Sequence, residues 1–144
     1  MDRPKPLPAS AFVHFTEITT RWIDNDAYGH INNVVYYEYF DTVVNAYLIA
    51  QGVLDIAKGA VIGLVVETHC NYFSPIVFPD NLRVGLKVAR LGTSSVRYDI
   101  GIFREGETTA SAQGHLVHVY VDRASGRPVP LPEAWKKALA PLLR

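Results

Sequence analysis

Residues 24–33, DNDAYGHINN, place Asp24, Asp26, Gly29, His30, Asn32 and Asn33 in one short stretch, and a strongly apolar run follows at once. A loop that only turns the chain needs one Gly or Asn. A carboxylate so placed has two chemical uses on a carbonyl substrate: it attacks the carbon directly, or it deprotonates a water that does. If a helix starts just after the loop, its first turn offers unpaired N–H groups and the positive end of its dipole, both aimed at an anion. Gly29 lets the backbone come close to a ligand. His30 can orient Asp26, touch a substrate or fill a hydrogen-bonded corner. The plainer reading gives Asp24 and Asp26 to helix charge compensation or an Asx-turn, and Asn32 or Asn33 to the helix cap.

The elements around the loop follow from periodicity. Residues 12–23 mix apolar, Thr and aromatic residues and read as a strand. Over 34–51 the polar residues Glu38, Asp41, Thr42 and Asn45 fall at i, i+3, i+4 and i+7, a narrow stripe on an otherwise apolar helix. Gly52 is placed to end that helix in the left-handed conformation. A helix apolar over so much of its circumference must be enclosed on most sides. Residues 61–73, 82–89, 96–103 and 108–121 read as strands, with turns at RLGTSS (90–95) and REGE (104–107). Pro132 suits the first turn of a short final helix containing Trp135, Leu139 and Leu142. One long helix cannot cover a parallel sheet, so the order predicts an α+β fold, an antiparallel sheet wrapped around one central helix.

Bulk composition sets the remaining bounds. A chain of 144 residues suits one domain over 1–144, with 1–11, rich in proline, as an irregular arm. Hydrophobic residues make up 49%, enough for a packed core. Acidic and basic residues balance at 14 each, which argues against a nucleic-acid or membrane-surface binder. Cys70 is the single cysteine, so neither an internal disulfide nor a cysteine zinc site is available. The N-terminus lacks a secretory apolar run and no stretch is long enough to span a bilayer, so a cytoplasmic location is expected.

The stretch TRWIDNDAYGHINNVVYYEYFD, residues 20–41, resembles the opening motif of the 4-hydroxybenzoyl-CoA thioesterase family, acyl-CoA thioesterases of the hotdog fold. The resemblance continues through Tyr72, Phe73 and Pro75, the GTSS turn and the closing VYVDRASGRPVPLP. It implies hydrolysis of an acyl-CoA, with Asp26 as the catalytic carboxylate and His30 beside it, and Asp24 as the lesser acidic position. It further implies substrate contacts from Tyr28, Gly29, Asn32, Asn33 and His69. Coenzyme A is expected at the turn holding Arg90, Gly92, Thr93, Ser94 and Ser95. No metal and no cofactor beyond the coenzyme A of the substrate is implied, and the family's sites lie at or near the interface of a homodimer or homotetramer.

Other residues leave the chemistry open. Glu67, His69 and Asn71 alternate on one strand face, which suits an acid–base pair or interface hydrogen bonds. His115 and His118, three apart on a strand, face opposite ways and do not share a metal. Arg90 and Arg97 flank the GTSS turn as phosphate contacts or as solvated strand ends. Two other functions compete: a hydratase or dehydratase on acyl thioesters using His69 and Glu67, and a non-catalytic acyl-CoA-binding protein. The dozen residues ahead of the first strand are too few for a helix-turn-helix, and no Gly-x-Ser-x-Gly or His-Glu-x-x-His motif occurs.

Overall fold

The computed structural model describes residues 3–144. Its elements are β1 (His14–Thr19), α1 (Val35–Ala50), β2 (Val61–Tyr72), β3 (Asn81–Leu91), β4 (Ser95–Arg104), β5 (Ala112–Asp122) and α2 (Glu133–Leu139). The five strands form one sheet in the order β1-β3-β4-β5-β2, antiparallel throughout. The α+β reading with one wrapped helix holds.

Alternation decides which side of each strand meets α1. Leu82, Val84, Leu86 and Val88 of β3 and Val96, Tyr98, Ile100 and Ile102 of β4 point inward and are almost fully buried. They meet Tyr36, Tyr39, Phe40, Val43, Val44, Tyr47 and Leu48 of α1. Each such side chain contributes about 1.5–3 kcal/mol by leaving water. Glu38, Asp41 and Thr42 face solvent as the stripe requires. Gly52 ends the helix at φ +76°, donating its N–H to the Ile49 carbonyl. At its start Asn32 does the capping: its Oδ1 accepts the Val34 N–H, and Asn33 takes no part.

Several boundaries differ from the sequence expectation. The strand expected over 12–23 is only β1. Beyond it the Arg21 N–H is drawn to Asp24 Oδ2, and the chain coils into a 3-10 turn at Trp22–Asp24. The strand expected over 108–121 begins only at Ala112, because Thr108 and Ala110 bond to the N-terminal arm instead. Pro132 precedes α2 as its N-cap rather than entering the first turn.

The described part of the arm has no regular element before Pro8 and lies against the sheet. Ala9–Ala11 is a 3-10 turn, Pro8 bridges Thr109, and Phe12 lies on the outer face of the sheet. A Cβ at Gly101 would come within 2.6 Å of the Phe12 ring and one at Gly85 within 2.8 Å of Phe12 Cβ. These two glycines form the pit that the ring fills. Phe12, Phe103 and Ala110 make a second small core there, apart from the one around α1.

Candidate active site

The loop between the 3-10 turn and α1 is pinned along its length. Asn25 Oδ1 accepts the Phe78 N–H at 3.1 Å, Ile31 N–H donates to the Ile76 carbonyl at 2.8 Å, and Asn32 N–H donates to the Asp24 carbonyl at 2.9 Å. Asp26 N–H donates to the His30 carbonyl and closes the tip, where Gly29 takes φ +83°. A left-handed residue is needed at that turn, which is the reason for the glycine.

The two aspartates part company here. Asp24 is 1% exposed and saturated. Its carboxylate accepts the Arg21 N–H at 2.9 Å, Arg21 Nε at 3.0 Å and the Tyr39 hydroxyl at 2.9 Å, and pairs with Arg21 Nη2 at 2.8 Å. Burial alone would raise the Asp24 carboxyl. The hydrogen bonds and the Arg21 charge outweigh it, and the group sits below its ordinary range. Asp26 is half-buried, and its Oδ1 accepts the Tyr28 N–H at 2.8 Å and, at 3.4 Å, the His30 N–H. This is an Asx-turn, and it leaves Oδ2 without a protein partner among the described residues.

Asp26, His30 and Asn33 line one open cleft of about 410 Å³, at the mouth of α1. Tyr36, Tyr72 and Phe73 make its apolar wall, continued by Ile31, Ser74 and Pro75. The sequence reading gives none of Tyr36, Tyr72 and Phe73 a site role. The sequence signal for the last two was the Tyr-Phe-x-Pro at the end of a long strand. Burial pushes the Tyr36 phenol up to about 12, with smaller contributions from Cys70 and the Asp26 charge. The Tyr72 hydroxyl donates to the Asn33 carbonyl at 3.0 Å. The Asn33 and Tyr36 amides have no backbone acceptor among the described residues, as is usual for the first turn of a helix.

The other expected site residues lie elsewhere. Tyr28 is 87% exposed on the loop tip and does not line the cleft. Asn32 is consumed by the cap. His69 stands on the outer face of β2, away from α1, stacked on His115 at 5.4 Å. Its Nε2 meets Asn71, while Glu67 bonds His115 at 2.7 Å, so the His69–Glu67 pair does not form. Arg97 only donates, so its contact with His115 Nδ1 puts the His115 proton on Nε2, toward Glu67. His118 is buried on the opposite face against the Tyr120 hydroxyl, as the spacing required. No group of His, Cys, Asp and Glu suited to a metal occurs among the described residues.

The turn with Arg90, Gly92, Thr93, Ser94 and Ser95 is at the far end of the sheet. Tyr72 aligns through Ala112 with Ile102, and Ser95 is seven residues further along β4, roughly 23 Å away at strand rise. Within one chain the turn and Asp26 do not meet.

No helix among the described residues is long and apolar enough to cross a membrane. The crystal structure of the PA5185 protein from Pseudomonas aeruginosa PAO1 is 52% identical, with TM-score 0.95, covering 96% of this chain and 97% of that one. Slr0204 of Synechocystis, a 1,4-dihydroxy-2-naphthoyl-CoA thioesterase, shares the fold at 19% identity and TM-score 0.79, covering 88% and 94%. The uncharacterised protein YsmA of Bacillus subtilis is 27% identical over 96% of this chain and 93% of its own length. Residues 18–139 match the thioesterase-like superfamily, and with a hotdog fold and a carboxylate loop at the helix mouth, this chain belongs to that family.

Proposed function

We propose that this protein hydrolyses an acyl-CoA to the free acid and coenzyme A, with Asp26 as nucleophile or general base. The observation that carries the reading is Asp26 itself. Its carboxylate is fixed through Oδ1 by an Asx-turn, keeps Oδ2 free, and opens into a cleft whose other wall is apolar. In this reading the Asn33 amide, at the positive end of α1, polarises the thioester carbonyl. His30 lies beside Asp26 in the cleft and holds the loop through its backbone. Either route ends in acid and thiol without a further cofactor: attack by Asp26 gives an anhydride that water cleaves, and general-base action gives the same products in one displacement. A cytoplasmic setting, where coenzyme A esters are made and used, suits this chemistry.

The active form in this reading is at least a homodimer. β2 is a twelve-residue edge strand with Leu64, Val65 and Val66 exposed, and among the described residues no strand pairs with its free edge, where only Arg3 reaches the Tyr72 carbonyl. Antiparallel pairing of two β2 strands would satisfy that edge. It would also set the Tyr72 end of one β2 beside the Val61 end of the other. Val61 is in register with Asp122, near the 90–95 turn. The partner's Arg90, Thr93 and Ser94 would then reach the Asp26 cleft and hold the phosphates of coenzyme A. The apolar wall of Tyr36, Tyr72 and Phe73 suits an aromatic or other apolar acyl group. No observation favours the hydratase reading, since Glu67 is engaged by His115.

The test is thiol release across short, long and aromatic acyl-CoAs, comparing the wild type with Asp26→Asn. The expected loss is about 10²-fold or more in kcat, with circular dichroism unchanged. Full turnover in the variant would refute the assignment.

A further inference from the structure

The N-terminal arm does more than cover the outer face. Ala110 N–H donates to the Leu7 carbonyl, Leu7 N–H to Gln113 Oε1 at 2.7 Å, and Gln113 Nε2 to the Lys5 carbonyl at 3.0 Å. Pro4, Pro6 and Pro8 fix φ at alternate positions, so little freedom is left to lose when the arm lies down. The arm then delivers Arg3 to the end of β2. Arg3 Nη2 donates to the Tyr72 carbonyl at 2.7 Å, and its guanidinium stands 5.7 Å from the centre of the Phe73 ring. Tyr72 and Phe73 are the cleft wall, and Tyr72 also holds the Asn33 carbonyl.

We propose that Arg3 is a positioning residue: it fixes the wall formed by Tyr72 and Phe73 and, through the Tyr72 hydroxyl, the carbonyl of Asn33, the residue whose own N–H faces the thioester in the reading above. This rests on the acyl-CoA thioesterase reading above. The path runs from the Arg3 guanidinium to the Tyr72 carbonyl, along that residue to its hydroxyl, and on to the carbonyl of Asn33. Arg3 touches no reacting atom in this scheme. Its contribution is the placing of a donor whose position matters to within an ångström.

The experiment uses the full chain as wild type, Arg3→Ala, Arg3→Lys, Tyr72→Phe and the Arg3→Ala/Tyr72→Phe double variant. Thiol release is followed from the best acyl-CoA of the panel and from the N-acetylcysteamine thioester of the same acid, which has no phosphate. Arg3→Ala is expected to lower kcat about fivefold on both substrates, with KM within about twofold and the thermal midpoint within about 2 °C. Arg3→Lys, which keeps a donor and a charge over Phe73, recovers to within about twofold of wild type. The double variant is no slower than the slower single one, because both act on one path. An unchanged kcat in Arg3→Ala overturns the proposal. So does a loss confined to KM for the coenzyme A ester, which would make Arg3 a phosphate ligand. Multiplying losses in the double variant overturn it as well. A wild type that releases no thiol from any substrate refutes the thioesterase reading itself, and the proposal with it.

Discussion

Asp24 and Asp26 stand two residues apart in one loop and meet different surroundings. Asp24 joins the loop to α1 through Tyr39 and to the end of β1 through Arg21, while Asp26 faces the cleft. Removing the Asp24 charge leaves Arg21 and Tyr39 with a poorer acceptor, and Asp24→Asn is expected to cost on the order of 2 kcal/mol at neutral pH. The Asp24 carboxyl is more acidic folded than unfolded. Its contribution is therefore complete above the ordinary value of 3.8 and is lost as the pH falls through and below it. Thermal midpoints measured from about pH 7 to about pH 3 should show the gap between wild type and Asp24→Asn closing toward acid. A gap constant across that range would mean that packing, not charge, supplies the difference. Which aspartate is buried was not legible from the loop alone. The deciding partner Tyr39 sits fifteen residues away, and only the helix phase brings it back.

At the scale of elements, whatever depends on local period was legible. The stripe of Glu38, Asp41, Thr42 and Asn45 located α1, and the alternation of β3 and β4 located the core face. Features set by distant partners were not. The seat of the arm was not legible because its binding pit is made of Gly85 and Gly101, some seventy and ninety residues downstream. Gly101→Val should drive Phe12 out of that pit, with an expected loss of about 1–3 kcal/mol. Faster amide exchange at Ala9 and Ala110, which tie the arm to the loop before β5, would accompany it. Unchanged protection at both amides would mean that the backbone bonds hold the arm without Phe12. The turn at 90–95 is a similar case. Its sequence suits a phosphate, yet strand register, which no local pattern reveals, puts it a sheet's length from Asp26.

At the scale of the whole molecule, the separation of that turn from Asp26 makes the dimer a chemical requirement of the proposed function. Val65→Lys, in the middle of the free edge, is expected to shift the protein to monomer in sedimentation and to lower kcat/KM by at least about tenfold. Mixed dimers test the shared site more sharply. Asp26→Asn and Arg90→Ala chains, each impaired alone, should regain activity when unfolded together and refolded. Half the dimers would be mixed and each would hold one intact site, so recovery should approach about a quarter of the wild-type rate. Absence of recovery, with mixed dimers present by mass, would place both residues' work within one subunit.

The position of β2 in the chain also sets a timetable for synthesis. Its only strand partner among the described residues is β5, which starts forty residues after β2 ends. At about 5–20 residues per second, the ribosome leaves this apolar strand waiting for seconds before β5 emerges. In the proposed dimer its other edge waits longer still, until a second finished chain arrives. Nascent chains that stall in that interval expose the segment best suited to strand-to-strand aggregation. Expression yield should therefore respond more to chaperone supply and translation rate between residues 72 and 122 than to anything done to the finished fold.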